Sequence, residues 1–363
     1  MRICYLSTAR IPDDWGHVVQ IMKMCEAFAK AGNDVELVVP RRAGRRNENP
    51  YAYVGADNVF RITKLPCIDI SATGEGKFLY WLRTFSFLLV ARLYTLIKKY
   101  DVLYTREPAA SLFFKDFVFE AHSVSKSVES ISKKACKVVA ITSFIKDELV
   151  TAGVRAQNVL VAADAVDLNA FKNAESKEKA RTRLGLPQDK KIALYLGRLD
   201  SWKGTDVLYG AADLLPEDIQ MVIIGVEPAQ LDTLRAQHPR IIFFALRPYK
   251  EVADNQAAAD VLILPNTGKN VMSSRYTSPL KLFSYMASGI PIVASDISSI
   301  REILNESNAM FVTPDDSMAL AQGIKKTLTD LSVSEKRAEK ARDDVELHTW
   351  DARASAILSF LSI

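Results

Sequence analysis

Residues 1–40 read MRICYLSTARIPDDWGHVVQIMKMCEAFAKAGNDVELVVP. The run Ile3-Cys4-Tyr5-Leu6 is apolar without alternation, the pattern of a strand buried on both faces. A polar loop holding Pro12, Trp15 and Gly16 follows. Over residues 18–31, Val18, Ile21, Met22, Cys25, Phe28 and Ala29 recur at helical spacing, and Gly32-Asn33 supplies the stop. Residues 35–39, apolar except for Glu36, read as a second buried strand closed by Pro40. Strand, helix and strand in this order predict the βαβ opening of a parallel sheet with both faces covered.

The alternation continues outward. Short apolar runs at 102–104, 117–119 and 138–141 read as strands, and residues 144–152 as a helix capped by Gly153. The pattern then restarts. Residues 192–196 are a strand running into Gly197-Arg198, and 205–215 a helix. Residues 221–224, 241–244 and 261–264 are strands, the last ending at Pro265. Residues 280–287 are a helix ended by Gly289, and 292–294 a strand. Two successive doubly wound α/β units fit this better than one long sheet. The length of 363 residues suits two domains. The Lys/Glu-rich residues 172–183 read as the junction and first surface helix of the second unit. The expected boundaries are 1–166, 167–347 and a closing segment 348–363.

Charge is uneven. Residues 1–166 carry 23 Lys and Arg against 17 Asp and Glu, while the whole chain is only +4, so the first half is the basic one. That half is the side expected to meet an anionic partner. Its densest cluster is RRAGRR, from Arg41 to Arg46, read as a solvated loop or as a contact for acidic lipid headgroups. Nucleic acid is not an expected partner, because the basic residues are not interleaved with stacking aromatics. Residues 78–97 are strongly apolar but interrupted by Arg83 and Arg92; a charge at mid-span costs roughly 2.5–3.5 kcal/mol on insertion scales, which argues against a membrane span. A packed helix and an interfacial, membrane-touching helix both remain open. Cys4, Cys25, Cys67 and Cys136 lack metal-type spacing and read as free thiols of a reducing compartment. The first apolar run is too short for a secretory leader and no small-residue cleavage site follows it. The expected location is therefore cytoplasmic, with peripheral attachment to the inner membrane face as an extension.

The sharpest local signal is LYLGRLDSWKG, residues 194–204. A buried strand ends in glycine, Arg198 stands at its carboxyl end, and Lys203 follows just before a helix. Strand carboxyl ends line the ligand crevice of doubly wound sheets. Arginine offers a planar fork to phosphate oxygens and lysine a compact charge, so the pair suits a diphosphate. Neither GxGxxG nor GxxxxGK[ST] occurs to suggest a dinucleotide fingerprint or a P-loop.

GRLDSWKG resembles the glycine–arginine…lysine–glycine motif of family-four GT-B glycosyltransferases, the glycosyl transferases of group 1. VVAITSFIKDEL (138–149) followed by NVLVAADAVDLNAF (158–171) is similar to that family's interdomain passage. ADVLILP (259–265) resembles the strand before its donor loop, and SPLKLFSYMASGIP (278–291) its donor helix and exit. Trp350 in HTWDARASAIL looks like the start of its closing helix. The resemblance implies a GT-B fold: two Rossmann-like domains facing a cleft, with the C-terminal helix returning to the N-terminal domain. It also implies transfer of a sugar from a nucleotide-diphosphate donor to a glycan or lipid-linked acceptor, with retention at the anomeric carbon and no metal or other cofactor, in polysaccharide or glycolipid biosynthesis. Carried over residue by residue, Arg198 and Lys203 bind the donor diphosphate and His122 lies near the transferred sugar. Gly16, Gly225, Leu246, Ser278, Pro279, Leu280 and Ser284 complete the implied donor set. The helix opened by Ser278-Pro279-Leu280 would aim amides at the phosphates, with Pro279 in its first turn.

Two departures qualify this reading. The family typically has two glutamates seven residues apart in the donor segment; here these places hold Tyr276 and Ser284. Serine is a weaker acceptor for ribose hydroxyls than a carboxylate. Altered donor recognition, substitution by a nearby acid such as Glu302, and a weakened transferase are the three consequences to weigh. A catalytically degenerate sugar-nucleotide-binding or partner protein is thus the alternative function. A GT-B epimerase would need acid/base groups that the sequence does not place. The stretch from His122 to Val138 is also short for the family, so the acceptor does not transfer by resemblance.

Overall fold

The computed structural model describes residues 1–13, 15–42, 48–69 and 76–362. Its first sheet has seven strands: β1 (Arg2–Leu6), β2 (Asp34–Pro40), β3 (Arg61–Leu65), β4 (Val102–Thr105), β5 (Val118–Ala121), β6 (Lys137–Ala140) and β7 (Val159–Val161). All pairs are parallel, in the order β3-β2-β1-β4-β5-β6-β7. The chain winds outward from β1 to β3, then crosses back to lay β4 on the other side of β1. That reversal makes the switch point of the sheet. Here the chain exits are tied together: Thr105 Oγ1 donates to Leu6 O at 2.9 Å, and Glu107 Oε1 accepts from Thr8 N at 3.0 Å and Ser7 Oγ at 3.2 Å.

The second sheet repeats the plan with β8 (Lys191–Leu196), β9 (Ile219–Val226), β10 (Ile241–Ala245), β11 (Val261–Leu264), β12 (Ile292–Ser295) and β13 (Met310–Val312). The order is β10-β9-β8-β11-β12-β13, again all parallel. Its switch point lies between β8 and β11. The two sheets belong to two units, Met1–Ala163 with Trp350–Ile363, and Asp164–Thr349. The closing helix Trp350–Leu361 thus belongs with the first sheet, where it packs on the helix Gly16–Lys30.

The doubly wound α/β architecture expected from the apolar runs is present twice. Three strands escaped that reading: β3, β7 and β13, each at a sheet edge. β3 (RITKL) mixes polar with apolar residues, while β7 (VLV) and β13 (MFV) are apolar but only three residues long and partly exposed, too short to stand out as buried strands. Two placements also need correcting. The first helix begins at Gly16, so Gly16 is its first residue and not part of the preceding loop. Pro279 stands just outside the helix Leu280–Ser288, with extended backbone at ψ 123°, and so is not a first-turn residue.

The apolar segment 78–97 is the helix Lys77–Ile97. One face, with Thr84, Phe87, Leu88 and Ala91, is buried against the first unit. The opposite face is apolar as well: Phe78, Phe85, Leu89, Leu93 and Leu96 are all exposed. Among the described residues no helix is long and apolar enough to cross a membrane. Within the RRAGRR cluster, residues 43–46 lie outside the described residues.

The switch point of the second sheet is built on glycines. Gly225 has φ +130°, and a Cβ there would lie 2.3 Å from Gly197 O and 2.5 Å from its carbonyl carbon. Gly204 has φ +70°, and a Cβ there would lie 2.2 Å from Pro265 O. These are backbone atoms, which cannot swing aside. Gly225→Ala should therefore destabilise the second unit by about 2 kcal/mol or more, from the forced φ and the collision together. Urea unfolding followed by tryptophan fluorescence measures this; a variant as stable as the parent would contradict the close approach of β8 and β9.

Candidate functional site

In the second unit the expected residues converge on the carboxyl ends of β8 and β9. Arg198 follows Gly197, and its amide lies 3.2 Å from the position of a Cβ on Gly225. Leu246 is held alongside, its amide donating to Val226 O at 3.1 Å. Arg198 Nη2 is ion-paired with Glu227. Lys203 Nζ is ion-paired with Asp200 Oδ2 at 2.7 Å and lies 5.2 Å from the Trp202 ring centroid. Both cations are thus present at the switch point, and each is already matched by a carboxylate. An incoming anion must share or displace these partners.

The helix Leu280–Ser288 contributes its N-terminus to the same region. Its first amides have no preceding carbonyl within the helix, which is the usual basis of anion binding at such ends. The link to β8 is direct: Tyr285 Oη accepts from Leu196 N at 2.9 Å, and Lys281 Nζ donates to Tyr195 Oη at 2.8 Å. Lys281 was not among the residues expected from the sequence, although it lies inside the quoted SPLKLFSYMASGIP segment. The neighbouring Ser278 is buried, and its Oγ accepts from Asp164 N at 2.8 Å.

Ser284 and Tyr276, at the two departures from the family pattern, are 1% and 7% exposed. The Ser284 hydroxyl accepts from Gln256 Nε2 at 2.8 Å and donates to Lys281 O at 3.0 Å. Its hydrogen-bonding capacity is therefore engaged within the protein. Glu302, weighed as a substitute acid, is the C-cap of the short helix Ser298–Arg301.

In the first unit, His122 follows β5 and belongs to a network that the sequence did not disclose. Its centre is Glu120, fully buried on β5. One carboxylate oxygen accepts from Gln20 Nε2 and from His122 Nε2, both at 2.6 Å. The other accepts from Arg353 Nη2 at 3.0 Å and from the Tyr104 hydroxyl. Arg106 Nη1 donates to Gln20 Oε1 at 2.9 Å. Burial by itself would raise the Glu120 pKa; Arg353, followed by the His122 contacts, outweighs it and holds the carboxylate ionised, well below the usual range. Burial, then the Arg106 charge, pulls His122 down to about 4, against the opposing pull of Glu120. At neutral pH the ring is uncharged, its Nε2 proton is directed at Glu120, and Nδ1 is left as an acceptor. Arg353 comes from the closing helix and also donates from Nε to Ala163 O at 2.8 Å. Thus the last helix of the chain sets the charge of the group that orients His122. Gly16 opens the helix that carries Gln20 into this network, and His17 beside it is lowered to about 4 by burial, then by Arg106.

Across nearly its full length the fold is that of the GT-B glycosyltransferases. The Anabaena protein Alr3699/HepE in complex with UDP-glucose superposes with a TM-score of 0.78, at 16% identity, over 100% of this chain and 99% of that one. Residues 16–170 match the glycosyltransferase family 4 model and residues 190–330 the model for glycosyl transferases group 1. The chain belongs to this family of glycosyltransferases. It is 28% identical to a D-inositol 3-phosphate glycosyltransferase of Xylanimonas cellulosilytica over 246 residues, 63% of this chain and 57% of the relative. It is 30% identical to the phosphatidyl-myo-inositol mannosyltransferase of Mycobacterium tuberculosis over 218 residues, 56% of this chain and 55% of the relative. The chain spans about half the length of the curated relatives it matches.

The histidines give a pH prediction. Their pKa values are lower in the folded chain than the ordinary 6.5, so between about pH 4 and 6.5 the unfolded chain binds more protons. Their contribution to stability is present above pH 6.5 and is lost as pH falls towards 4. His17→Asn/His122→Gln should therefore lose less melting temperature between pH 7 and 5 than the parent does. Equal losses in the two proteins would contradict the neutral, buried state of these rings.

Proposed function

We propose that this chain transfers a sugar from a nucleotide-diphosphate sugar to a glycan or lipid-linked acceptor, with retention at the anomeric carbon, in polysaccharide or glycolipid biosynthesis. The observation that carries this reading is the meeting of Arg198, Lys203 and the N-terminus of the helix Leu280–Ser288 at the switch point between β8 and β11. Their positive ends suit a diphosphate, and binding outside strand carboxyl ends is the rule for open α/β sheets. The neighbours support it: HepE is described with UDP-glucose, and the relatives are named for transfer to inositol-containing acceptors.

In the proposed reaction the acceptor hydroxyl attacks the anomeric carbon on the face from which the diphosphate leaves. The bond from that carbon to phosphate oxygen breaks, and the hydroxyl proton passes to the departing phosphate. Charge grows on the leaving group, so preorganised cations there act mainly in the transition state. Arg198, Lys203 and the helix amides would supply that charge without a metal. His122, uncharged and fixed by Glu120, would serve as a polar group for the transferred sugar. Gly16, Gly225, Leu246, Ser278, Pro279 and Leu280 would shape the donor site. Ser284 would act from beneath it, holding the helix through Gln256 and the Lys281 carbonyl.

Arg198→Ala or Lys203→Ala should reduce transfer by at least ~10²-fold and weaken diphosphate binding, while EDTA leaves the parent unchanged. A panel of UDP-, GDP- and ADP-sugars with product analysis makes the measurement. Parent-like turnover in both variants would place the donor elsewhere, and loss of activity with EDTA would contradict metal-free transfer.

We also propose that the exposed face of Lys77–Ile97 rests on an anionic membrane surface. Phe78, Phe85, Leu89, Leu93 and Leu96 provide apolar contact. Residues 77–100 carry Lys77, Arg83, Arg92, Lys98 and Lys99 with no Asp or Glu, which complements acidic headgroups. The parent should float with vesicles of phosphatidylcholine and phosphatidylglycerol at low salt, and less at high salt. Leu89→Glu/Leu93→Glu should abolish flotation with little effect on stability, because both side chains are exposed. No flotation of the parent at low salt would exclude this contact.

A further inference from the structure

Lys281 is an anomaly in its surroundings. It is the one Lys, Arg, Asp or Glu in the helix Leu280–Ser288, and it is the second residue of that helix. A cation is unfavourable at the positive end of a helix dipole. A purely structural side chain there would be acidic or neutral. The side chain is nevertheless drawn inward over β8. Its Nζ donates to Tyr195 Oη at 2.8 Å and lies 4.1 Å from the ring centroid. The Tyr195 hydroxyl directs its own proton to Arg198 O at 3.0 Å. Lys281 is thereby connected through one phenol to the backbone of the expected phosphate-binding arginine. A Cβ on Gly197 would come within 2.9 Å of Nζ, so glycine at that place leaves the room that the amine occupies.

The charge balance of the region is equally informative. Arg198 is matched by Glu227 and Lys203 by Asp200. Among the described residues Lys281 has no carboxylate partner. The groups facing it are Tyr195 on β8, Asp200 and Lys203 after that strand, and Tyr285 on its own helix. Burial raises the pKa of both phenols, which stay protonated and neutral. An anion reaches the charge of Arg198 or Lys203 only by sharing or displacing a carboxylate, whereas Lys281 and the helix amides can be met without doing so.

We propose that Lys281 is a third diphosphate-binding side chain, donating a hydrogen bond to a phosphate oxygen of the donor beside Lys203. This rests on the donor-site reading given above. Burial, then the Lys203 charge, pushes the Lys281 pKa well below the ordinary lysine value, while Asp200 pulls the other way. Burial and the Lys203 charge both disfavour the charged form of the unliganded side chain. A diphosphate reverses the local potential, and the amine takes a proton from solvent to become the ammonium that the phosphate requires. The same anion compensates the unfavourable placement at the helix N-terminus. Donor binding and proton uptake are coupled at this one nitrogen.

The test is calorimetric titration of UDP, GDP and ADP into the intact chain at pH 8, in two buffers of different ionisation enthalpy. Parent, Lys281→Met, Lys281→Arg and Arg198→Ala are compared, with melting temperatures as the check on folding. The parent should bind one of the three nucleotides with net proton uptake. Lys281→Met should bind it about tenfold more weakly, the scale of one charge-assisted hydrogen bond, and without uptake. Lys281→Arg keeps a permanent charge, so it should retain most of the affinity but lose the proton uptake. A side chain that only braces the helix would change stability without changing proton uptake. Parent-like affinity and uptake in Lys281→Met, with binding lost in Arg198→Ala, would overturn the proposal for Lys281 alone. Parent-like uptake in Lys281→Arg would do the same. Failure of the parent to bind any of the three nucleotides would overturn the donor-site reading and the proposal with it.

Discussion

The carboxyl ends of β8, β9 and β11 come so close together that side chains are excluded from the backbone where they meet. At Gly225 a Cβ would strike the Gly197 carbonyl, and at Gly204 it would strike the carbonyl of Pro265. This close approach governs the second unit. It brings Arg198, Lys203 and the start of the helix Leu280–Ser288 to one place, although they lie far apart along the chain. Parallel pairing supplies the frame, since every strand of the sheet ends on the same side. The reversal of winding between β8 and β11 then opens a gap that helix termini do not close. Glycine, parallel register and the switch point together make an anion site from groups that would otherwise be scattered.

The first unit solves a different problem with the same fold. At its centre a fully buried carboxylate, Glu120, is held by Arg353, His122, Gln20 and Tyr104. Removing one partner from a buried ion pair costs about 3–5 kcal/mol, so the network constrains the closing helix as strongly as it constrains the histidine. Placement of Trp350–Leu361 with the first sheet follows from this contact as well as from its packing on Gly16–Lys30. The consequence for chemistry is a histidine kept neutral and in one tautomer. The consequence for stability is a dependence on the last dozen residues that their position in the chain does not suggest.

Much of this was legible in the sequence, and the rest was hidden for identifiable reasons. Central parallel strands are buried on both faces, so continuous apolar runs announced β1, β8 and β11 directly, and β2 was legible despite Glu36 in its middle. The edge strand β3 (RITKL) is partly exposed and carries polar residues, which removed the signal, whereas β7 (VLV) and β13 (MFV) were too short to show one. Arg198 and Lys203 could be found because a glycine-ended strand and a helix start bracket them. Lys281 was passed over because a lysine within a helix reads as a solvated residue, and only tertiary packing draws it onto Tyr195. Glu120 and Arg353 are separated by more than two hundred residues, and no local spacing pairs them. The apolar helix at 78–97 was visible, but which of its faces is buried is decided by its neighbours.

If the donor diphosphate is held at the switch point between β8 and β11, a bound nucleotide must be seen there. The most direct measurement is a crystal structure with whichever of UDP, GDP or ADP raises the melting temperature most. Phosphate oxygens should lie within hydrogen-bonding distance of Arg198, Lys203 and the amides of Leu280 and Lys281, with Glu227 or Asp200 displaced from its present partner. A nucleotide seated elsewhere, with both ion pairs undisturbed, would contradict that placement.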